Sequence, residues 1–391
     1  MSQGHADPAD APAGTALRRG WTTGACAAAA ARAACTALLS GAFPDPVTVA
    51  LPRGRAPAFA LARQAQGPGW AYAGVVKDAG DDPDITHGAT VSATARPGTP
   101  GSGIRLHAGA GVGTVRRTGL PVAAGEPAIN PGPRAYIEWA AQEAAAEQAA
   151  DADIELAIGI EDGERLATQT LNPRLGIEGG LSVLGTSGVL VPFSCAAWID
   201  AIQRGIDVAR AAGLTHVAGS TGRTSERAVQ ARHHLPDEAL IDMGDFVGGT
   251  LKYLRRHPVP RITIAGGLAK ITKLAQGFLD VHSRRGQADL RQLAELAAGI
   301  GAAEACRTRI AGANTVAEAF SHAAAAGLPL GDAVARAAQR TALGLIDGER
   351  SQVEVLLYDR AGRLAGAAGW APAHGGGKGS GGTSPQDGHG R

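Results

Sequence analysis

The chain has 391 residues, of which 45% are hydrophobic and 19% charged, and its formal net charge is +1. This length allows two domains, each with its own hydrophobic core. A net charge near zero gives no extended basic field, so we expect neither nucleic acid nor a membrane surface as a partner. Any anionic ligand has to be met by local basic clusters. The composition leaves a homo-oligomer open.

The cysteine pattern and the absence of strongly apolar segments predict a cytoplasmic protein. The longest apolar run, Ala25–Ala31, is mostly alanine and ends at Arg32, which falls short of the roughly 20 apolar residues of a membrane span. Met1–Gly14 contains acidic residues and prolines, unlike a signal peptide. The cysteines are too widely spaced for a zinc site and too few to cross-link a chain of this length. They are Cys26, Cys35, Cys195 and Cys306.

Composition divides the chain into two folded domains between two tails. Residues 1–16 are rich in alanine, proline and aspartate, and residues 371–391 are dominated by glycine, serine and proline. Such segments bury too little apolar surface to fold, so we expect both to be disordered. We place the domain boundary near Pro192, which gives an N-terminal domain over 17–192 and a C-terminal domain over 193–370.

The N-terminal domain is predicted to be α+β with a mixed or antiparallel sheet. A helix begins at Thr22 or Thr23 and ends before Gly41, and a second helix covers Pro133–Ala149 with proline in its first turn. Apolar alternation predicts the strands. They are Val47–Leu51, Ala58–Ala62, Trp70–Val76, Ala89–Ala95, Ile104–His107, Gly113–Arg116 and Ile154–Ile160.

A charged loop, Lys77–Gly88, joins two of these strands. Its sequence is Lys-Asp-Ala-Gly-Asp-Asp-Pro-Asp-Ile-Thr-His-Gly, with four aspartates, and Gly80 and Pro83 exclude regular structure. Functional residues concentrate in loops that rigid elements hold in place. The alternative is a chain of Asx turns on a solvated connection. Composition does not decide between the two.

The C-terminal domain is predicted to be Rossmann-like, with a mainly parallel sheet and flanking helices. Each of three helices precedes a strand, which indicates βαβ units. The helices are Ala196–Ala212, Ser225–Ala231 and Phe246–Arg256, and the strands are Thr215–Ala218, Ala239–Asp242 and Arg261–Ala265. Further helices follow through Gln287–Leu345, and Val353–Tyr358 is the last predicted strand.

A glycine-rich turn in this domain is a candidate nucleotide site. Gly219-Ser-Thr-Gly222 follows a strand and opens a helix, and Asp242 ends the next strand. In such sites glycines admit the ligand to the backbone, and an acid about 20 residues further on bonds ribose hydroxyls. Glycines that merely turn the chain are the alternative. The cofactor-binding candidates lie at strand ends and are Gly219, Thr221, Gly222, Asp242, Gly244, Asp245, Gly266 and Gly267.

Two features of the N-terminal domain are candidate anion sites. Arg116, Arg117 and Arg134 flank the proline-rich connection Gly119–Arg134, and guanidinium groups suit carboxylates. The helix start at Thr22–Gly24 offers backbone N–H groups to an anion. The alternatives are solvated surface arginines and a plain helix cap.

Several long segments together resemble one family. They are Arg19–Ala30, Val76–Gly88, Gly111–Val115, Gly119–Val122, Gly125–Pro131, Leu171–Gly188, Gly244–Gly248 and His282–Arg284. The family is the cobalt-precorrin-5B C1-methyltransferases of the anaerobic cobalamin pathway, and the resemblance spans about residues 17–370. Departures from the usual pattern occur at Ser194–Ala196, Gly219–Glu226 and Gly266–Leu268, around the candidate nucleotide site.

The resemblance implies methyl transfer from S-adenosylmethionine to ring carbon C1 of cobalt-precorrin-5B, which gives cobalt-precorrin-6A. It also implies a corrinoid as the small-molecule partner and cobalt that arrives with the substrate, so we expect no metal site in the protein. The ring carries many carboxylates, and we expect basic residues and the start of the first helix to bind them. These are Thr22, Thr23, Gly24, Lys77, Arg116, Arg117, Arg134 and Arg174.

For the charged loop we predict a catalytic role. Asp78 and Asp81 are expected to anchor Lys77, and His87, made cationic by nearby carboxylates, or a loop aspartate is expected to manage the proton lost from the ring. The catalytic candidates are therefore Asp78, Asp81 and His87.

Two other functions remain open at this point. One is a phosphotransferase that holds Mg²⁺ through Asp78, Asp81, Asp82 and Asp84. The other is a tetrapyrrole carrier that binds a corrinoid without transferring a methyl group.

Overall fold

The computed structural model describes residues 17–283, 286–346 and 350–372. Its contacts divide the chain into two compact units, one ending at Gly213 and the other starting at Leu214. The tails predicted to be disordered lie outside the described residues, except for Ala371 and Pro372, which complete a strand. The boundary expected near Pro192 precedes the last helix of the first unit, whereas the contact-based division follows that helix.

The first unit combines short strand pairs with one larger sheet and three long helices. Its elements in chain order are β1 (Gly20–Trp21), α1 (Thr23–Ser40), β2 (Val47–Thr48), β3 (Ala58–Phe59), β4 (Arg63–Gly67), β5 (Trp70–Val76), β6 (Thr90–Pro97), β7 (Ile104–Ala108), β8 (Thr114–Val115), α2 (Pro131–Glu147), β9 (Ile154–Ile160), α3 (Gly163–Ala167), β10 (Ile177–Glu178), β11 (Val189–Leu190) and α4 (Cys195–Ala211).

The larger sheet is mixed, as expected. Its strand order is β4-β5-β6-β9-β7, in which β7 and β9 are parallel and every other neighbouring pair is antiparallel. The charged loop therefore connects the adjacent strands β5 and β6, so both of its ends are fixed by the sheet.

Helix α1 forms the centre of this unit's core. The Thr22 side chain caps its first turn, and Gly41 ends it in the left-handed conformation. Residues Ala25 to Ala31 have no exposed surface, and α1 packs against α2, β5 and β6. Alanine has the highest helix propensity and allows this close approach. The helix also has the length and hydropathy of a membrane span, but 72% of that span is buried inside the unit, so it is weak evidence for one.

The second unit contains a mainly parallel sheet with helices between its strands. Its elements are β12 (His216–Ser220), α5 (Arg223–His233), a 3₁₀ turn (Asp237–Ala239), β13 (Leu240–Asp242), α6 (Val247–Arg256), β14 (Arg261–Gly267), α7 (Leu268–Ala275), α8 (Leu290–Ala298), α9 (Glu304–Ala311), α10 (Val316–Ala325), α11 (Leu330–Leu343), β15 (Gln352–Tyr358) and β16 (Leu364–Pro372).

The strand order of this sheet is β13-β12-β14-β15-β16. The first four strands are parallel and β16 joins β15 antiparallel. The mixed α/β class and the mainly parallel second sheet are confirmed. Because the chain moves from β12 to β13 on one side and to β14 on the other, the strand order reverses at β12, and open parallel sheets bind ligands at such a point.

Several elements were not predicted from the sequence, namely the short elements β1, α3, β10 and β11 and the longer elements β4, β16 and α7. β4 is a polar edge strand without apolar alternation, and four of its five residues are exposed. β16 contains Gly366 and Gly369, which resemble turn residues, and α7 has only eight residues. The predicted strands Val47–Leu51 and Ala58–Ala62 shrink to the two-residue pair β2 and β3.

A buried polar network spans the amino end of the second sheet. Glu354 Oε2 lies 2.7 Å from His233 Nε2 and accepts a hydrogen bond from Thr263 Oγ1 at 2.9 Å. His216 Nε2 lies 2.8 Å from the same Thr263 oxygen. Burial, and then the charges of His233 and Arg261, lower the pKa of His216 to about 4. The network provides hydrogen-bond partners for polar groups that the sheet buries. It lies at the end of the sheet opposite to the carboxyl ends of the strands.

Candidate functional site

The charged loop is fastened to the segment that precedes α1. The Arg18 guanidinium donates two hydrogen bonds to the Asp78 carboxylate, one of them from Nη2 to Oδ1 at 2.9 Å. The Arg18 backbone N–H donates to Asp81 Oδ2 at 2.6 Å. The Arg18 bond, followed by the bond from the Gly80 N–H at 2.9 Å, lowers the pKa of Asp78 to about 2. Asp78 is therefore a weak base at neutral pH.

Lys77 is enclosed by the same loop. Its side chain is 1% exposed, and Nζ lies 2.5 Å from Asp84 Oδ2 and from Thr86 Oγ1. The Thr86 N–H donates to Asp84 Oδ1 at 2.8 Å. Burial raises the pKa of Asp84, but the charge and hydrogen bond of Lys77 and the two hydrogen bonds from Thr86 together outweigh it, so the pKa lies below 3.8. The prediction that Asp78 and Asp81 anchor Lys77 is wrong, because those carboxylates bind Arg18.

This burial also changes the role of Lys77. Its ammonium group is bonded inside the loop, so direct contact with a substrate carboxylate does not fit this conformation. Lys77 instead fixes the shape of the loop, since an ammonium group without partners would be costly to bury.

His87 accepts a hydrogen bond where a cation was expected. The Ala79 backbone N–H donates to His87 Nδ1 at 3.1 Å. An accepting nitrogen carries no proton, so the neutral ring has its proton on Nε2. The imidazolium form predicted from the neighbouring carboxylates does not fit this bond, and proton uptake at Nδ1 would break it.

The aspartates of the loop diverge to different partners instead of converging on one point. Asp82 Oδ2 accepts the Phe193 N–H at 2.9 Å, while Asp78 and Asp81 bind Arg18 and Asp84 binds Lys77. Within residues 17–283, 286–346 and 350–372, no group of three or more His, Cys, Asp or Glu side chains is arranged to hold a metal ion. The loop geometry does not fit the Mg²⁺ site of a phosphotransferase.

The start of α1 is buried and bonded to the protein. Thr22 and Thr23 are each 7% exposed, and the Ala25 N–H donates to Thr22 Oγ1 at 3.2 Å. The Gly24 N–H donates to the Leu184 carbonyl at 3.1 Å. A direct anion-binding role for Thr22, Thr23 and Gly24 does not fit this geometry, whereas a plain helix cap does.

The predicted arginines surround the short ladder that β8 forms with β10. The Arg116 N–H donates to the Gly176 carbonyl at 2.8 Å, which places Arg116 directly beyond β8. Arg117 Nη1 donates to the Arg174 carbonyl at 3.4 Å. Two arginines predicted from distant parts of the sequence therefore lie together.

Arg134 joins this cluster through Glu126. Arg134 Nη2 donates to Glu126 Oε2 at 3.2 Å, and the Val115 N–H donates to the Glu126 carbonyl at 3.0 Å. Arg116 Nε lies 3.4 Å from Glu178 Oε2, with both side chains more than half exposed. Such an exposed pair contributes little stability, so Arg116 can turn to a ligand carboxylate at low cost. We call Arg116, Arg117, Arg134 and Arg174 the arginine cluster.

The cofactor-binding candidates gather at the carboxyl edge of the second sheet. In the strand register Ser220 is opposite Asp242 on one side and Ala265 on the other. The Thr221 N–H donates to the Ala265 carbonyl at 3.0 Å, which binds the turn after β12 to β14. The candidates are therefore neighbours in space as predicted, although their contact with a ligand stays a prediction.

The glycines at this edge divide into two groups. A Cβ at Gly219 would lie 2.9 Å from Met243 Sδ, and one at Gly266 would lie 2.7 Å from Thr221 Oγ1. Gly244 has a φ of 51°. Close packing explains the glycines at 219 and 266, and the left-handed backbone conformation explains the glycine at 244. A Cβ at Gly222 or Gly267 would meet nothing within 4 Å, so these two border open space, as a ligand-facing backbone requires.

Two lysines of α7 connect the loops at this edge, and the sequence reasoning missed both. Lys270 Nζ lies 3.0 Å from Asp245 Oδ1 and donates to the Thr221 carbonyl at 2.9 Å. Lys273 is 6% exposed and donates to the Val281 and His282 carbonyls at 3.1 and 3.0 Å. Burial lowers the pKa of Lys273, and Asp245 opposes this. The available signal was their position just after Gly266 and Gly267.

A groove of about 750 Å³ lies elsewhere in the first unit. It is lined by the end of α1, the turn between β4 and β5, and residues that include Trp70, Asp151 and Asp153. Both Asp153 oxygens accept backbone N–H groups, from Gly101 and Gly103. None of the predicted site residues lines this groove.

These features define a two-unit α/β protein with a candidate ligand-binding edge on a mainly parallel sheet and a cluster of arginines beside a short strand ladder. A family model described as CbiD matches residues 10–192, and a second, described as CbiD, C-terminal domain, matches residues 280–369.

Close relatives extend this match over more than nine tenths of the chain. A cobalt-precorrin-5B C(1)-methyltransferase of Halorhodospira halophila is 76% identical over 371 residues, which is 95% of this chain and 100% of the relative. The protein of that name from Agrobacterium fabrum is 58% identical and covers 92% of this chain and 95% of its own length. A solved cobalamin biosynthesis protein (cbiD) from Archaeoglobus fulgidus is 27% identical, with a TM-score of 0.37, over 69% of this chain and 83% of its own. The chain belongs to the CbiD family.

The buried pair of Lys77 and Asp84 makes a testable contribution to stability. Asp84→Asn leaves the Lys77 charge buried without a carboxylate, so we expect the free energy of unfolding at pH 7 to fall by about 3 kcal/mol. The pKa of Asp84 is lower in the folded than in the unfolded chain. Its stabilisation is therefore present above the unfolded pKa and is lost as pH falls through the folded value. Urea titrations at pH 7 and below pH 3.8 measure both effects.

Asp81→Asn is the matched control for this variant, because Asp81 is exposed and its carboxylate accepts a hydrogen bond from the Arg18 N–H. A smaller loss of about 1 kcal/mol is expected for that variant. Equal losses in the two variants, or a deficit of Asp84→Asn that does not shrink at low pH, would contradict this account.

Proposed function

We propose that the chain transfers a methyl group from S-adenosylmethionine to ring carbon C1 of cobalt-precorrin-5B and so produces cobalt-precorrin-6A. The observation that carries the proposal is 76% identity to the cobalt-precorrin-5B C(1)-methyltransferase of Halorhodospira halophila over that relative's full length. The enzyme is thus a methyltransferase of cobalamin biosynthesis, and its partner is a corrinoid. A cytoplasmic location fits this use of a soluble metabolite.

The donor is assigned to the carboxyl edge of the second sheet. Asp242 ends β13 beside the turn that follows β12, and an acid in this position suits ribose hydroxyls. Gly222 and Gly267 border open space there, which lets a ligand approach the backbone. The Rossmann-like classification of this unit is part of the same proposal, and it rests on the strand order and on Asp242.

The acceptor is assigned to the arginine cluster. A corrinoid precursor carries acetate and propionate groups, and guanidinium groups bind carboxylates with two parallel hydrogen bonds. Arg116 and Arg117 extend directly from β8, so their backbone is fixed while their side chains adapt. Arg174 and Arg134 approach the same ladder from later parts of the chain.

The transfer is a displacement at the methyl carbon. The bond from sulfur to the methyl group breaks as the bond from the methyl group to C1 forms, and the sulfur keeps the electron pair. The rate depends on holding the sulfur, the methyl carbon and C1 in line, with the two carbons near contact. The protein contributes to this by positioning both ligands. Cobalt arrives within the substrate and is not a resident metal of the protein.

Of the three catalytic candidates, Asp81 suits proton acceptance best. Asp78 is held by Arg18 at a low pKa, and the Nδ1 lone pair of His87 is already used. Asp81 is exposed, and Oδ2 is the oxygen that bonds the Arg18 N–H. We therefore assign Asp81 the proton lost from the ring and assign Asp78 and His87 the shape of the loop.

The direct test is incubation of the chain with methyl-labelled S-adenosylmethionine and cobalt-precorrin-5B, followed by mass analysis of the corrinoid. We expect one labelled methyl group at C1. Binding of the corrinoid without transfer would instead support a carrier. In single turnover, Asp81→Asn should slow transfer by about 100-fold while donor affinity is unchanged, the pattern of a group that acts in the transition state. A normal rate would remove Asp81 from the chemistry.

The arginine cluster makes a separate prediction. Arg117→Ala and Arg134→Ala should each weaken corrinoid binding by about 1–3 kcal/mol, because each removes charged hydrogen bonds to a carboxylate. The donor affinity should stay constant. The control is Arg105→Ala, an exposed arginine on β7 of the same unit. Titration of the corrinoid at low salt measures all three variants, and normal binding by the double variant would place the acceptor elsewhere.

A further inference from the structure

The pair of Lys270 and Asp245 is placed where three loops of the second sheet meet. Asp245 follows β13, Thr221 follows β12, and Lys270 is the third residue of α7, which follows β14. Lys270 Nζ lies 3.0 Å from Asp245 Oδ1 and donates to the Thr221 carbonyl at 2.9 Å. Opposite charges are therefore held side by side at the edge where the donor is assigned.

The bonding of this pair is incomplete. An ammonium group has three N–H donors, and the Lys270 side chain is 38% exposed, so it keeps a donor for a ligand. The Asp245 side chain is only 11% exposed, and Oδ1 receives no aligned hydrogen bond from the part of the chain that the structure describes. A buried carboxylate oxygen without an aligned donor favours a further hydrogen-bond donor.

Lys273 differs from Lys270 in this respect. It is 6% exposed, and its ammonium group donates to the Val281 and His282 carbonyls. Those bonds fasten the segment after α7, so Lys273 acts as part of the scaffold. Lys270 is the lysine that faces both Asp245 and solvent.

We propose that Lys270 and Asp245 bind the amino-acid end of the methyl donor. The Lys270 ammonium binds the α-carboxylate, and the Asp245 carboxylate binds the α-ammonium group. This proposal rests on S-adenosylmethionine being the donor, as proposed above. A zwitterion matches a preformed pair of opposite charges, because each charged group of the ligand replaces water with a fixed partner.

This arrangement predicts how the site divides the donor. Asp242, at the end of β13, would hold the ribose, and the pair formed by Lys270 and Asp245 would hold the methionine part. The affinity for a ligand that has the nucleoside but lacks the amino-acid end should therefore not depend on Lys270. A ligand with both parts should depend on both sites.

Calorimetric titration of the full chain with two probes tests the division. S-adenosylhomocysteine carries the amino-acid end, and 5′-methylthioadenosine lacks it. Lys270→Met should weaken S-adenosylhomocysteine binding by about 10–100-fold, the loss of one hydrogen bond between charged groups, and should leave 5′-methylthioadenosine unchanged. Lys270→Arg should retain the preference for S-adenosylhomocysteine. Asp242→Asn should weaken both probes.

Two further variants keep the outcome decisive. Lys252→Met removes an exposed lysine of α6 and should change neither affinity. Lys270→Gln keeps a donor for the Thr221 carbonyl, so it preserves the loop contact if Lys270→Met melts early, and it should still lose the preference. If the Lys270→Met and Lys270→Gln variants weaken the binding of both probes equally, or change the binding of neither, the pair is a structural ion pair and the proposal is overturned. Failure of the unsubstituted chain to bind either probe would overturn the donor assignment itself, and this inference with it.

Discussion

β12 lies between β13 and β14, and all three strands run in the same direction. This order brings the turns after the three strands to one edge, although they lie far apart in the sequence. The turn after β12 is bonded to β14 through Thr221 and to α7 through Lys270. The candidate donor site depends on this topology, because its residues follow three strands that are separate in the sequence.

In the first unit, the charged loop holds four aspartates close together, although their carboxylates repel one another. Asp78 and Asp81 bind different groups of Arg18, Asp82 accepts the Phe193 N–H, and the most enclosed charge, Lys77, is neutralised by Asp84. The loop that results is fixed at both ends by β5 and β6 and along its length by Arg18. In the role proposed for Asp81, the loop would present this carboxylate in a defined place, and pre-organisation of this kind lowers the entropy cost of catalysis.

How far the sequence predicts the structure depends on whether the signal is local. Apolar alternation gave β5 and β9 residue for residue, because each packs on one buried face. β4 was missed because its pairing with β5 comes from position and not from apolar pattern. The residues around the second sheet's edge were predicted from glycines and acids at strand ends. The partner of Lys77 was not, since which of four nearby aspartates it meets depends on side-chain direction. Lys270 was missed because α7 itself was missed.

The measurement that tests the account most directly is a crystal structure of the chain with S-adenosylhomocysteine. We expect the ribose beside Asp242, the backbone of Gly222 and Gly267 against the ligand, and the amino-acid end at Lys270 and Asp245. Well-defined density for the ligand in the groove that Trp70 and Asp153 line, with the edge of the second sheet empty, would contradict it.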